Sequence, residues 1–323
     1  MAFTPHTPVI AEGFPVTFRD QTIWRDPESF DQSHMAEIDF DETCFTTFIS
    51  SGDGIEVHRA YELSVESVLG AEARQDFSSY GGLSNRAPLD VIQGLVSREP
   101  GLVVHALDHA VEHFTHPEDI TDIGLGMIAR FANRGKIEPD DLTLRAITEM
   151  LVIRKKEHLI PQISNEWPMP VKGFVEFWLA VNERQREPDW HGVHTAIVSS
   201  GHTDFIQTTF EMSDLPHPDV YMTDDEMRRQ VRPRTKPDPY ALELVRNAWM
   251  NAYLVPVESR SADDFMQSTK GRQVYIGDDV EKDGLMASND GISFMHHDGS
   301  EVAWHNIYQR LTDVIDKGGQ FDQ

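Results

Sequence analysis

The sequence predicts an α/β protein: a doubly wound parallel sheet, interrupted by an inserted all-helical block. Three observations predict it. Short apolar runs at 35–40, 195–198, 220–222, 274–276 and 292–294 are separated mostly by helical patterns, the signature of βαβ units and of a parallel sheet covered on both faces. Between the first two runs, residues 55–160 carry helical periodicity with no convincing strand. Finally, 323 residues with 39% hydrophobic and 25% charged side chains can bury a sizeable core.

The elements follow in order. Residues 1–33 are rich in Pro, Phe and Trp and read as an extended arm packing on the core, with Phe14, Phe18 and Trp24 as anchors. The N-terminus has no basic region and no long apolar run, so no signal peptide is expected. The core takes 34–49 and 165–323, and the helical block takes 50–164. Ile55, Tyr61, Leu63, Val65, Val68 and Leu69 suit an amphipathic helix ending near Gly70. Further helices are expected at about 89–98, 102–115, 119–133 and 140–158. Helix 171–186 then leads to the buried-strand pattern Thr195-Ala196-Ile197-Val198. A helix from 203, a strand at Val220-Tyr221-Met222 and a helix over 239–253 come next. The strand Val274-Tyr275-Ile276, a helix to about 288, the strand Ile292-Ser293-Phe294 and a helix over 303–316 complete the chain.

Lys+Arg is 28 against Asp+Glu 54, a formal charge of −26. That disfavours a nucleic-acid partner, which would want a basic face, and it favours solubility. An anionic substrate needs locally supplied positive charge. No run approaches the roughly 18 apolar residues of a transmembrane helix. The single cysteine, Cys44, allows no internal disulfide, so a reducing, cytoplasmic setting is expected. Cys44 reads as a small apolar filler, since no histidine lies near it in sequence to activate it.

Four strand ends carry chemistry. Ile38-Asp39-Phe40-Asp41-Glu42-Thr43 places two carboxylates two residues apart where a strand ends. There they can converge on one metal ion or one reacting group. Ser199-Ser200-Gly201 offers hydroxyls and free N–H groups before a helix, either an anion site or a cap made by Ser or Thr203. In Thr235-Lys236-Pro237-Asp238-Pro239, Asp238 suits a cap and Pro239 the first helical position. Lys236 is then either a fixed point charge or a surface lysine. Asp278 and Asp279, with Asp283 one turn on, either favour a helix N-terminus or supply oxygen ligands to Mg²⁺. Ligands of open parallel sheets bind outside the carboxyl ends of the strands, so the four stretches can meet. Carboxylates gathered there repel unless a cation and Lys236 neutralise them, an arrangement suited to phosphoryl transfer.

The order of these motifs resembles that of the haloacid-dehalogenase-like (HAD) hydrolase superfamily, closest to its helical-cap members such as phosphoglycolate phosphatase and β-phosphoglucomutase. The resemblance implies a Mg²⁺-dependent phosphatase of a small phosphorylated metabolite. Asp39 would be the nucleophile and Asp41 the acid/base. Thr43, Ser199, Ser200 and Lys236 would hold the phosphoryl group. Asp39, the carbonyl of Asp41, Asp278 and either Asp279 or Asp283 would bind the metal. The cap would close over the core, exclude water in the first step and choose the substrate. A phosphomutase with the same nucleophile is the alternative, and a silent binding protein is a third reading.

Several positions depart from the family pattern. Glu42 stands where glycine is commonest, Phe45–Asp53 reads as an insertion, and Asp283 falls one residue later than in many relatives. In the cap, Gly82-Leu83-Ser84-Asn85-Arg86 resembles the specificity loop of sugar-phosphate mutases, with Arg86 a candidate grip on a second phosphate. His105, His109 and His113 share a helical face, either a transition-metal set or a cap-packing stripe. No nucleic-acid or membrane partner is expected, and the chain is expected to be a monomer or homodimer.

Overall fold

A computed structural model of the chain describes residues 27–47, 57–79, 88–99, 101–113, 141–164, 166–184, 192–230, 234, 236–253 and 262–321. The chain divides into two compact units, Met1–Thr46 with Pro168–Gln323, and Thr47–Trp167.

The first unit is built on a parallel sheet whose strands are β1 (His34–Ile38), β4 (Val193–Val198), β5 (Val220–Met222), β6 (Gln273–Gly277) and β7 (Ser293–His296). Their spatial order is β5-β4-β1-β6-β7. β1 pairs with β4 from His34↔Val193 to Ile38↔Ile197, and with β6 from Met35↔Gln273 to Ile38↔Ile276. Every residue of β1, β4 and β6 is buried, so these strands read as largely apolar runs around His34, Glu37, His194, Thr195 and Gln273 rather than as alternations. The chain leaves β1 towards β4 and β5, then returns past β1 to β6 and β7. The carboxyl end of β1 therefore lies where the winding changes direction, the place where such sheets bind ligands. A second, two-stranded sheet pairs β2 (Phe45–Thr46) with β3 (Met169–Pro170). It joins the two chain passages into and out of the helical unit.

The two faces of the large sheet are packed differently. On one, Met35, Val198, Met222, Leu242, Val245, Trp249 and Met286 form an aliphatic-rich cluster around the helix Tyr240–Ala252. The other face is aromatic. Phe210 lies 5.7 Å from Phe45, 5.2 Å from Trp178 and 6.3 Å from both Phe40 and Phe174, measured between ring centroids. Trp304 extends the cluster, 5.3 Å from Phe174 and 4.4 Å from Phe177.

The helical unit has its own core. Tyr61, Val65, Val68 and Leu69 of the helix Val57–Leu69 meet Phe77, Val91, Leu95, Leu102, Ile147 and Leu151 from four other helices. The first helix stops at Gly70, whose φ of +92° glycine adopts without the Cβ clash. A separate helix, Ala71–Ser79, follows at once. The short helices Asp224–Arg228 and Ala262–Lys270 are likewise absent from the sequence reading. The expected helix at 119–133, the specificity-loop residue Arg86 and the anchors Phe14, Phe18 and Trp24 lie outside the described residues. His109 is buried and its Nε2 accepts a hydrogen bond from Arg154 Nε at 3.1 Å, while His105 is exposed. These two histidines therefore face different surroundings and do not converge as metal ligands. Among the described residues, no helix is long and apolar enough to cross a membrane.

Phe210 is fully buried and touches four aromatic partners. Truncation to alanine is expected to cost about 3–5 kcal/mol, read as a lower urea midpoint for the near-UV circular dichroism of this unit.

Candidate active site

The site begins where β1 ends. The Asp39 N–H donates to the Ile276 carbonyl at 2.9 Å, continuing the ladder one residue past the strand. Phe40 then turns into the aromatic cluster, and the chain reverses through Asp41–Cys44. That turn is closed by the Cys44 and Phe45 N–H groups, both bonded to the Phe40 carbonyl at 3.0 and 3.1 Å. Glu42 takes a φ of +58°, a left-handed conformation that glycine adopts most cheaply. This makes Glu42 a strained choice at that position. Cys44 is a filler: its buried thiol donates to the Asp39 carbonyl at 3.1 Å, and burial pushes its pKa well up.

The Ser-Ser-Gly turn follows β4. Ser199 is buried, accepts the Gly201 N–H at 2.8 Å and donates to Asp41 Oδ2 at 3.3 Å. Ser200 is exposed. Neither Ser nor Thr203 caps the next helix, Thr203–Met212, whose cap residue is His202. Its first N–H is instead taken by Asp225 Oδ2 at 2.8 Å. His202, Asp224 and Asp225 lie close enough to share a cation, but Arg228 already pairs with both carboxylates.

Lys236 is the centre of the site. Its side chain is only 6% exposed, and Nζ donates to Asp39 Oδ1 at 2.5 Å, to the Tyr275 hydroxyl at 2.6 Å and to Asp283 Oδ1 at 3.0 Å. The following Asp238 takes the Tyr240 N–H at 3.0 Å. Pro239 stands just before the helix rather than at its first position, because the helix begins at Tyr240.

After β6, residues Val280–Gly284 form a single π-turn. The Gly284 N–H reaches back five residues to the Asp279 carbonyl, while Asp279 Oδ1 caps the turn by accepting the Lys282 N–H at 2.9 Å. A π-turn accommodates one extra residue. Asp279 is left exposed at the cap and Asp283 is turned inward, fully buried. Gly277 makes room for it, since a Cβ there would collide with the Asp283 carboxylate. Thr43 lies on the other side and donates its hydroxyl to Asp278 Oδ1 at 3.0 Å. Its hydroxyl hydrogen is thus committed to that carboxylate rather than to a phosphoryl oxygen.

The electrostatics follow from one ammonium among several acids. Burial pushes the Asp39 carboxyl up from 3.8 to about 7, with Asp283 adding to the rise and Lys236 opposing it. Burial works against the Lys236 ammonium, but Asp39 and Asp283 outweigh it and raise its pKa. Tyr275 is raised well above its ordinary value, chiefly by burial, and stays a neutral hydroxyl. With Asp39 ionised, the cluster carries an uncompensated negative charge.

Donor atoms of Asp39, Asp278 and Asp283 lie within 4.8 Å of one another. Asp283 Oδ2 is buried with no hydrogen-bond partner, although its twin Oδ1 has two. An oxygen-only donor set with one orphaned buried carboxylate oxygen fits a hard divalent cation such as Mg²⁺. The sequence reading overlooked two residues of this arrangement, Tyr275 and Gly277. The available signals were a hydroxyl inside an otherwise apolar strand and a glycine directly before the acids.

No known family model and no curated protein sequence matches the chain. Among solved structures it resembles a HAD-superfamily hydrolase, subfamily IA, variant 1, from Geobacter sulfurreducens, at 15% identity and a TM-score of 0.34, over 82% of this chain and 87% of that one. It also resembles a HAD-superfamily hydrolase from Ehrlichia chaffeensis, at 13% identity and 0.38, over 90% and 99%. A third is the Bacillus subtilis protein YfnB, assigned as a HAD-hydrolase and solved bound to magnesium, at 12% and 0.33, over 82% and 87%. At these values the chemistry is read from the side chains of this chain alone.

Two outcomes test the site as described. Replacing Glu42 with glycine removes the left-handed strain and is expected to stabilise the protein by about 1 kcal/mol, measured by chemical unfolding. The Asp39 carboxyl is raised in the folded state, so its contribution to stability is complete at low pH and is lost as pH rises through about 7. Mg²⁺ is therefore expected to raise the melting temperature over a chelator-treated sample, with a larger gain at about pH 8 than at about pH 6.

Proposed function

We propose that the chain is a divalent-metal-dependent phosphatase of the HAD type, acting on a small phosphorylated metabolite through an aspartyl-phosphate on Asp39. The observation that carries this reading is the Lys236 ammonium shared by Asp39 and Asp283 at the carboxyl ends of β1 and β6. One Asp39 oxygen is held by Lys236, which fixes the carboxylate plane and leaves the second oxygen for attack. That oxygen forms a bond to phosphorus as the bond from phosphorus to the leaving oxygen breaks. Asp41, contacted by Ser199 Oγ, gives its proton to the leaving oxygen. In the second half Asp41 takes a proton from water, the water oxygen bonds to phosphorus, and the bond from phosphorus to Asp39 breaks. Inorganic phosphate leaves and both carboxyl groups return to their starting states.

Asp39, Asp278 and Asp283 would hold the cation, and when bound it would offset phosphate and carboxylate charge. Lys236 adds the positive charge that an anionic substrate needs in a chain of net charge −26. Ser199 would donate to a phosphoryl oxygen by turning its hydroxyl from Asp41.

Purified protein with Mg²⁺ is expected to release phosphate from members of a broad phosphomonoester panel. Asp39→Asn should lower the rate by on the order of 10⁴-fold or more, and Asp41→Asn by about 10²–10⁴-fold. No release from any panel member, or an Asp39→Asn variant as active as the parent, would sink the reading. Turnover that depends on a priming bisphosphate, without net phosphate release, would point to the phosphomutase instead.

A further inference from the structure

A lysine ammonium has three hydrogens to donate, and Lys236 gives them to two carboxylates and one neutral group. The neutral group is the hydroxyl of Tyr275, at 2.6 Å. Tyr275 is fully buried on β6, in register with Glu37 of β1 and Phe294 of β7. Its own hydrogen has two acceptors in reach, the Val198 carbonyl at 3.2 Å and Asp283 Oδ1 at 3.4 Å. One hydroxyl thus touches the lysine, the end of β4 beside Ser199, and the acid of the π-turn. The ring stacks near Phe294, with centroids 6.4 Å apart and planes at 18°, so phenylalanine would serve packing equally well. The hydroxyl is what packing leaves unexplained.

Resting on the hydrolase reading, we propose that Tyr275 is a positioning residue that anchors Lys236 independently of the charge on Asp39. While Asp39 is a carboxylate, it holds the ammonium by itself. Once Asp39 carries the phosphoryl group, its negative charge has moved out to the phosphoryl oxygens, and the Asp39 oxygen beside Lys236 no longer holds the ammonium by charge. Asp283 and the phosphoryl oxygens would then draw the flexible lysine in different directions, away from the position it held. A hydrogen bond to a neutral hydroxyl does not change between the two halves of the cycle. Tyr275 therefore keeps Nζ beside Asp39 while water attacks, and its removal damages the second half-reaction more than the first.

p-Nitrophenyl phosphate with Mg²⁺ separates the halves, because the nitrophenolate burst reports phosphorylation of Asp39 and the steady state reports its hydrolysis. Tyr275→Phe is expected to leave the burst rate within about threefold of the parent while the steady-state rate falls roughly tenfold, the size of a lost hydrogen bond to a charged group. Phosphorylated protein should accumulate. Equal slowing of both phases, or slowing of neither, would overturn the proposal. A second measurement needs no activity and stands if the hydrolase reading fails. Asp39→Asn removes the nucleophile's charge permanently. The Lys236 ammonium signal, assigned by its loss in Lys236→Arg, should stay visible in ¹H–¹⁵N spectra of Asp39→Asn and vanish in Asp39→Asn/Tyr275→Phe. A signal that persists in the double variant would show that Tyr275 does not hold the lysine.

Discussion

Lys236 sits between two carboxylates that the fold has already taken out of water. Asp39 is 5% exposed and Asp283 fully buried, and each would carry several kcal/mol of desolvation penalty if left unpaired. Breaking such a buried pair by deleting one partner commonly costs about 3–5 kcal/mol. The ammonium satisfies one oxygen of each acid and leaves one Asp283 oxygen without a partner. This single contact therefore accounts for both the compactness of the site and its remaining appetite for positive charge. It also sets a demand on the sheet. Asp39 follows β1 and Asp283 follows β6, so the register between those strands must hold to a fraction of an ångström for one nitrogen to reach both.

The packing beneath meets that demand in two ways. On the aromatic face, Phe40 of the first motif is locked against Phe45 and Phe210, so the turn carrying Asp41 is fixed by rigid rings on its other side. On the opposite face a buried polar chain runs along the sheet below the site. Arg246 pairs with Asp290 and donates to Gln273 at 2.5 Å, and Gln273 donates to Glu37 at 3.2 Å. Glu37 lies two residues before Asp39, and Gln273 two before Tyr275. Each site residue thus stands on a strand whose preceding inward position is itself tied across the sheet. Burial raises the Glu37 pKa well above its ordinary value, so this chain adds little negative charge under a site already short of cations.

Much of the sheet was legible because strands covered on both faces are largely apolar, and β1, β4, β5, β6 and β7 each left a short apolar run despite buried polar residues such as Glu37 and Gln273. That Asp39, Ser199, Lys236 and an acid after β6 would meet was legible because strand ends in parallel sheets face one place; the choice between Asp279 and Asp283 was not, since it depends on the π-turn. What escaped was decided by neighbours distant in sequence. Thr43 is adjacent to the acid pair, yet its hydroxyl hydrogen belongs to Asp278, 235 positions away. The first N–H of helix Thr203–Met212 is taken by Asp225 of the short helix Asp224–Arg228, which no local capping rule finds. Helix Ala71–Ser79 was missed because Gly70 ends one helix and permits another to start immediately, with no intervening loop signal.

The acidic motif shows what the chemistry constrains and what it leaves free. A second acid displaced by one residue would point roughly 100° away on a regular α-helix, out of the cluster. Here the extra residue is absorbed by the π-turn Val280–Gly284, and the absence of a Cβ at Gly277 gives the carboxylate its seat. The π-turn thereby brings Asp283 Oδ1 to 3.0 Å from Lys236 Nζ. Glu42 makes a related point: the turn takes a left-handed backbone there although glycine would adopt it more cheaply. In both places the chain accepts local strain or an irregular turn beside the carboxylates that meet at Lys236.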